Sequence, residues 1–303
     1  MTRRQGRAGP GRNPRRPVAA GALAVGALVA LVVAACGSAG PSARPTVGSA
    51  GPPANPSAAT PDIPGLPGQS GPGTPSASPS ASPAALPLAG KIIGIDPGHN
   101  GGNFTDPGAI GQLIWNGTGW ETCDTTGTTT DGGYTEAQFN FNVARYLEAD
   151  LRRDGARVVL TRTSNDGVGP CVNRRAEIIN AAGANVGVDI HADGGPVSGH
   201  GFTVLEPVAD GPNDRVIAAS QRFGADVRQA MLAGTGMPES DYTGVDGIMP
   251  RDDLAGLNLT TVPKVLIECG NMRNATDAAL LVTARFQQQV AAALTAAIVR
   301  FLR

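Results

Sequence analysis

The stretch KIIGIDPGHN, residues 91–100, decides how the chain is read. Ile92 and Ile93 open an apolar run of strand character, Pro97 and Gly98 stop it, and the turn presents His99, one of only three histidines. Two later stretches share this pattern. VGVDIHAD, residues 186–193, carries His191 at the end of its apolar run, and in KVLIECGN, residues 264–271, Val265, Leu266 and Ile267 lead to Glu268. A single histidine in such a place is more often a satisfied loop or core residue than a ligand. Two of three at matching strand ends shift that balance, because parallel strands bring their carboxyl ends to one edge, where α/β sheets collect ligands.

Working outward, short apolar runs at 91–95, 157–160, 186–190, 202–205 and 264–267 read as strands, and longer periodic segments at 135–153, 173–182, 214–233 and 284–302 read as helices. In the first helix Phe139, Val143, Tyr146, Leu147 and Leu151 recur at helical spacing, and Gly155 marks its end. Strands alternating with helices predict a single layered α/β domain with a largely parallel sheet flanked by helices.

At the shared edge the chemistry suits a metal. Zinc accepts imidazole nitrogen and carboxylate oxygen, and a catalytic site uses three protein ligands while keeping a position open. Glu136, in DGGYTEAQFN, is a candidate third ligand in the first turn of a helix, although the macrodipole favours an acid there in any case. His200, in VSGHGF, reads as a substrate-side or surface residue. Asp96, ahead of Pro97 and Gly98, reads as shaping the turn. Cys269 alternates with Glu268 and so points to the opposite face, as a small core residue.

Taken in order, IIGIDPGHNGG, GGYTEAQFNFNVARYL, VVLTR, RRAEIINAAGANVGVDIHAD and VLIECGNMRN resemble the motifs of zinc-dependent N-acetylmuramoyl-L-alanine amidases of the AmiC/LytC type, which cut bacterial peptidoglycan. The resemblance covers essentially all of residues 91–303. It implies Zn2+ held by His99, Glu136 and His191, with Glu268 as the catalytic carboxylate serving zinc-activated water as general base and acid. It further implies that the bond cut is the amide between N-acetylmuramic acid and L-alanine of the stem peptide. Arg175 and Asn180 match the family's Arg and Asn on the helix before the second histidine, which implies a substrate-positioning role. Two features depart from the family: Asp189 stands where Ser is common, and the 101–132 loop, with Trp115 and Trp120, is long. Two alternatives stay open from sequence alone, a zinc peptidase acting within the stem peptide and a non-catalytic wall-binding regulator.

The N-terminal part differs in composition. Six arginines within the first 16 residues precede an apolar run at 18–35, as in an export signal, and Val33-Ala34-Ala35-Cys36 resembles a lipobox that would make Cys36 the lipidated first residue. Cleavage elsewhere, or an uncleaved anchor, are the alternatives. Residues 37–90 are Pro, Ser, Ala and Gly with few large side chains, a composition expected to form a disordered linker. The domains expected are therefore a signal at 1–36, a tether at 37–90 and a catalytic domain at 91–303, exported and held at the outer face of the cytoplasmic membrane or in the wall as a monomer.

Of the chain's 24 basic and 25 acidic residues, 7 and 1 fall in the first 90, which leaves 17 against 24 in the domain. That acidic excess argues against a nucleic-acid surface. Cys123 and Cys171 both lie in Gly- and Thr-rich loop sequence, and in an oxidising compartment they are expected to form a disulfide, worth roughly 4 kcal/mol in the chain-entropy picture.

Overall fold

The computed structural model describes residues 85–303; the expected export signal, Cys36 and the linker as far as 84 lie outside the described residues. The elements in chain order are β1 (Ile92–Pro97), a short helix α1 (Pro107–Ile110), a hairpin of β2 (Leu113–Trp115) and β3 (Trp120–Thr122), α2 (Glu136–Arg153), β4 (Arg157–Leu160), α3 (Val172–Ala181), β5 (Val186–Asp193), β6 (Thr203–Pro207), α4 (Ile217–Gly234), β7 (Ile248–Arg251), α5 (Ala255–Asn258), β8 (Lys264–Asn271), α6 (Ala275–Leu281) and α7 (Ala284–Phe301). Six strands form one sheet in the order β4-β1-β5-β8-β6-β7. β4, β1, β5 and β8 are parallel, and β6 pairs antiparallel with β8.

Alternation along the strands assigns the two faces. Ile93, Ile95, Val188, Ile190, Val265 and Ile267 pack with Phe139, Val143 and Leu147 of α2 and Val290 and Leu294 of α7 in the main core. The intervening residues turn to the other face, where Ile179 of α3 and Leu257 of α5 head two smaller clusters. That second face carries Asp96, Asp189, His191 and Glu268. Cys269 is free and buried in the main core.

Several elements escape the sequence pattern. β2 and β3 are three residues each, too short to show alternation. β7 contains Pro250, which a central strand would not tolerate but which an outermost strand accommodates. The fold also starts earlier than a tether ending at residue 90: Leu88 is fully buried, and its N–H donates to the Asp154 carbonyl at 2.9 Å. Cys123 and Cys171 are disulfide-bonded, tying the end of the hairpin segment to the start of α3. Among the described residues no helix is long and apolar enough to cross a membrane.

Candidate metal centre

Three elements meet at the carboxyl edge of the sheet. β1 runs into His99, β5 carries His191, and α2 begins at Glu136, capped by the Thr135 side chain, which accepts from the Gln138 N–H. Glu136 Oε1 lies 3.2 Å from His99 Nε2 and 2.9 Å from His191 Nδ1. One donor atom from each of the three residues falls within 4.8 Å of the others, so a single ion can be shared among them. The two imidazoles stand edge to face, their centroids 4.9 Å apart.

His99 is held from behind. Its Nδ1 meets Asp124 Oδ1 at 3.0 Å, which directs Nε2 towards Glu136. A carboxylate behind a ligating imidazole fixes its tautomer and orientation. Arg175, 1 % exposed, in turn donates to Asp124 Oδ2 at 3.0 Å, to Asp96 Oδ1 at 2.8 Å and to the carbonyls of Pro97, His99 and Pro170. These bonds hold His99 at φ +57°, a left-handed backbone conformation that costs a non-glycine residue energy.

Gly98 completes the arrangement by what it lacks. A Cβ at that position would lie 2.2 Å from the His191 ring. Gly98→Ala is therefore expected to displace His191 and weaken metal binding by roughly 10- to 100-fold, the range for disturbed ligand support, while the sheet persists. Calorimetric zinc titration with far-UV dichroism checks both parts.

The charge distribution fits a cation. Burial disfavours the charged form of His99, but Glu136 and Asp124 outweigh it and lift its pKa to about 10. Glu136 is likewise buried, yet both imidazoles hold its carboxyl well below the usual range. The cluster thus favours positive charge between its members. Glu268 is the complementary case: burial, with Glu136 and Asp193 nearby, pushes its carboxyl well above the usual value, and its Oε2 is shielded from solvent without a hydrogen-bond partner. A divalent ion beside it would favour the carboxylate. Glu268 pairs in register with His191 on the adjacent parallel strand and shares with the three candidate ligands an open cleft of about 330 Å³, whose wall includes Asp193, Arg251 and Leu254. A narrower cavity of about 170 Å³ adjoins it, lined by both histidines, Asp96, Asp189, Glu121 and Leu254.

Residues 93–300 match the N-acetylmuramoyl-L-alanine amidase family. The chain belongs to that family. It is 40% identical over 222 residues to N-acetylmuramoyl-L-alanine amidase Rv3717 of Mycobacterium tuberculosis, an alignment covering 71% of this chain and 88% of the relative. The crystal structure of the N-acetylmuramyl-L-alanine amidase Ami1 of Mycobacterium smegmatis superposes with a TM-score of 0.67 at 39% identity, covering 71% of this chain and 98% of that one. The apo form of Ami1 from Mycobacterium abscessus gives the same score and identity, with 71% and 100% covered.

Set against this amidase family's motifs, the remaining expectations divide. Arg175 contacts the backbone and second carboxylate behind His99 rather than the cleft, so it positions a candidate ligand. Asn180, expected in a substrate-positioning role, donates its side-chain N–H to the Leu259 carbonyl and accepts from the Thr261 N–H, both at 2.8 Å, stitching the loop that enters β8. Asp189, the departure from the usual Ser, faces the neighbouring layer and pairs with the fully buried Lys264 at 2.9 Å. His200 bonds the buried Asp277 and is not part of the metal cluster. Asp124 and Arg162 were not legible as supporting groups. Arg162 donates to the carbonyls of Pro97, Gly98 and Ala137, joining the His99 turn to the start of α2. Asp124 lies in the Thr-rich loop sequence ETCDTTG, where nothing separates it from a solvated loop acid except its place beside Cys123.

Proposed function

We propose that the chain is an exported zinc hydrolase that cuts the amide between the lactyl group of N-acetylmuramic acid and the L-alanine of peptidoglycan stem peptides. Peptidoglycan amidase activity is supported by the family match and by relatives named for it. The observation that carries the finer reading is the meeting of His99, Glu136 and His191 within sharing distance of one ion, beside a carboxylate whose inner oxygen has no partner.

In this reading His99 Nε2, a Glu136 oxygen and His191 Nδ1 hold the zinc ion, a donor set of nitrogen and oxygen that suits zinc. Bound there, zinc supplies a Lewis acid for the scissile carbonyl and acidifies the attacking water. Glu268 takes a proton from that water as its oxygen bonds to the carbonyl carbon. It passes the proton to the alanine nitrogen as the C–N bond breaks, the two halves of general base and acid catalysis. Asp124 keeps the His99 Nδ1 proton and so leaves Nε2 free to ligate. An export signal, with Cys36 as lipid anchor and the segment from 37 to 84 as tether, would place the domain on wall near the membrane.

Digestion of purified sacculi by the full chain tests the proposal. Intact stem peptides with a free L-alanine amine are expected, are expected to vanish under a chelator, and are expected to return on adding zinc. Shortened stems, or cleavage indifferent to the chelator, would overturn it.

A further inference from the structure

The hairpin of β2 and β3 has no task in the reading above, yet it carries the only two tryptophans of the chain. Trp115 and Trp120 are cross-strand partners, 48% and 68% exposed, packed edge to face with centroids 5.7 Å apart. Alternation puts Leu113, Trp115, Trp120 and Thr122 on the outward side, while Ile114 and Glu121 turn towards the domain. Leu113 is exposed as well, so one side of the ribbon is an apolar strip.

The ribbon is anchored. Asn116 donates to the Asp253 carbonyl, Thr118 donates to the Asp252 carbonyl, and Glu121 accepts from the Ala255 N–H. Its C-terminal end runs through the Cys123–Cys171 disulfide directly into Asp124, which holds His99. Two large aromatic faces are thus held in fixed positions in water, an arrangement that marks a binding surface. Trp120 stands four positions before Asp124, so its Cα lies within about 14 Å of the Cα of the acid that holds His99.

We infer that Trp115 and Trp120 form a stacking platform for the pyranose rings of the glycan strand, holding the polymer beside the cleft while its stem peptide enters. The inference rests on the proposed amidase reading, in which the scissile amide hangs from a sugar ring, so that the strand must pass within a short oligosaccharide's length of the cleft. Rings with apolar C–H faces and little charge suit flat aromatic partners. Residues 101–130 contain Asp106, Glu121 and Asp124 but no lysine or arginine, which disfavours an anionic lipid surface as the occupant.

Because both tryptophans sit on the ribbon, intrinsic tryptophan fluorescence of the full chain reports on this surface alone. Titration with a soluble oligomer of β-1,4-linked N-acetylglucosamine is expected to shift or quench it saturably, and vesicles of phosphatidylglycerol and phosphatidylethanolamine are expected to leave it unchanged. In turnover, Trp120→Ala is expected to raise KM on peptide-bearing glycan strands roughly tenfold, with kcat held within about twofold, as for loss of ground-state stacking. Trp120→Tyr should restore most of the affinity, and a single N-acetylmuramoyl-peptide should be cut equally by all three proteins. A fluorescence response to vesicles but not to the oligomer, or an unchanged KM on glycan strands in Trp120→Ala and Trp115→Ala, would overturn the inference. Failure of the unsubstituted chain to cut either substrate would instead count against the amidase reading, and the oligomer titration would still decide the platform.

Discussion

Glu268→Gln is expected to retain zinc and lose between about 10²- and 10⁴-fold in kcat, the contribution of a positioned general acid or base. The substitution keeps the shape of the side chain and leaves His99, Glu136 and His191 untouched, so the ion should bind as in the parent. What disappears is the group able to carry a proton from water to the departing amine. Stability offers a second readout with its own sign. The folded-state pKa of Glu268 is raised above its unfolded value by burial and by Glu136 and Asp193. Whatever stability the group contributes is therefore present below the ordinary carboxylate pKa and lost as pH rises through the folded value. At neutral pH the buried carboxyl opposes folding of the metal-free protein, so the Gln variant should melt at or above the parent. Steady-state turnover, zinc titration and metal-free melting together check this. A variant with parental kcat would remove Glu268 from the reaction.

The sequence carried the candidate ligands because each stands at a strand end or a helix start, places that local pattern marks. IIGIDPGH, VGVDIH and VLIE read as three strands, and their parallel pairing aligns His191 with Glu268. Glu136 was legible only as a helix-start acid; its distances to both imidazoles come from tertiary packing. The supporting groups were less legible still. Asp124 is joined to Arg175 across 51 residues and to His99 across 25, and no periodicity spans such separations. Lys264 sits in an apolar run and pairs with Asp189 from another strand, so its sequence neighbours give no sign of a partner. Asn180 shows the converse case. It matches a motif position yet serves the backbone of the loop entering β8, because motif matching does not say which side of a helix meets which loop.

Arg175→Ala should produce the largest loss of stability. Arg175, itself buried, neutralises the buried Asp96 and Asp124, and removing one partner of such a cluster leaves buried charges uncompensated, at a cost of about 3–5 kcal/mol. The Asp96 carboxyl shows the dependence: burial raises its pKa, yet Arg175 and then Lys264 bring it down to about 2. A depressed carboxylate stabilises the fold above its unfolded pKa, and that contribution is lost as pH falls through the folded value. The gap between parent and variant should therefore be full at neutral pH and shrink as pH falls from about 4 towards 2. Arg175→Lys should recover little, since one ammonium cannot reproduce the planar fork that spans two carboxylates and three carbonyls. Metal binding should fall with stability, because the same guanidinium holds the His99 carbonyl and the acid behind its ring. Adding Asp96→Asn and Asp124→Asn to Arg175→Met separates the two effects: neutralising the stranded carboxylates should return much of the folding free energy, while zinc affinity stays low because His99 has lost its orienting acid. Parental zinc affinity in that triple variant would show that the Asp124–Arg175 support serves folding alone.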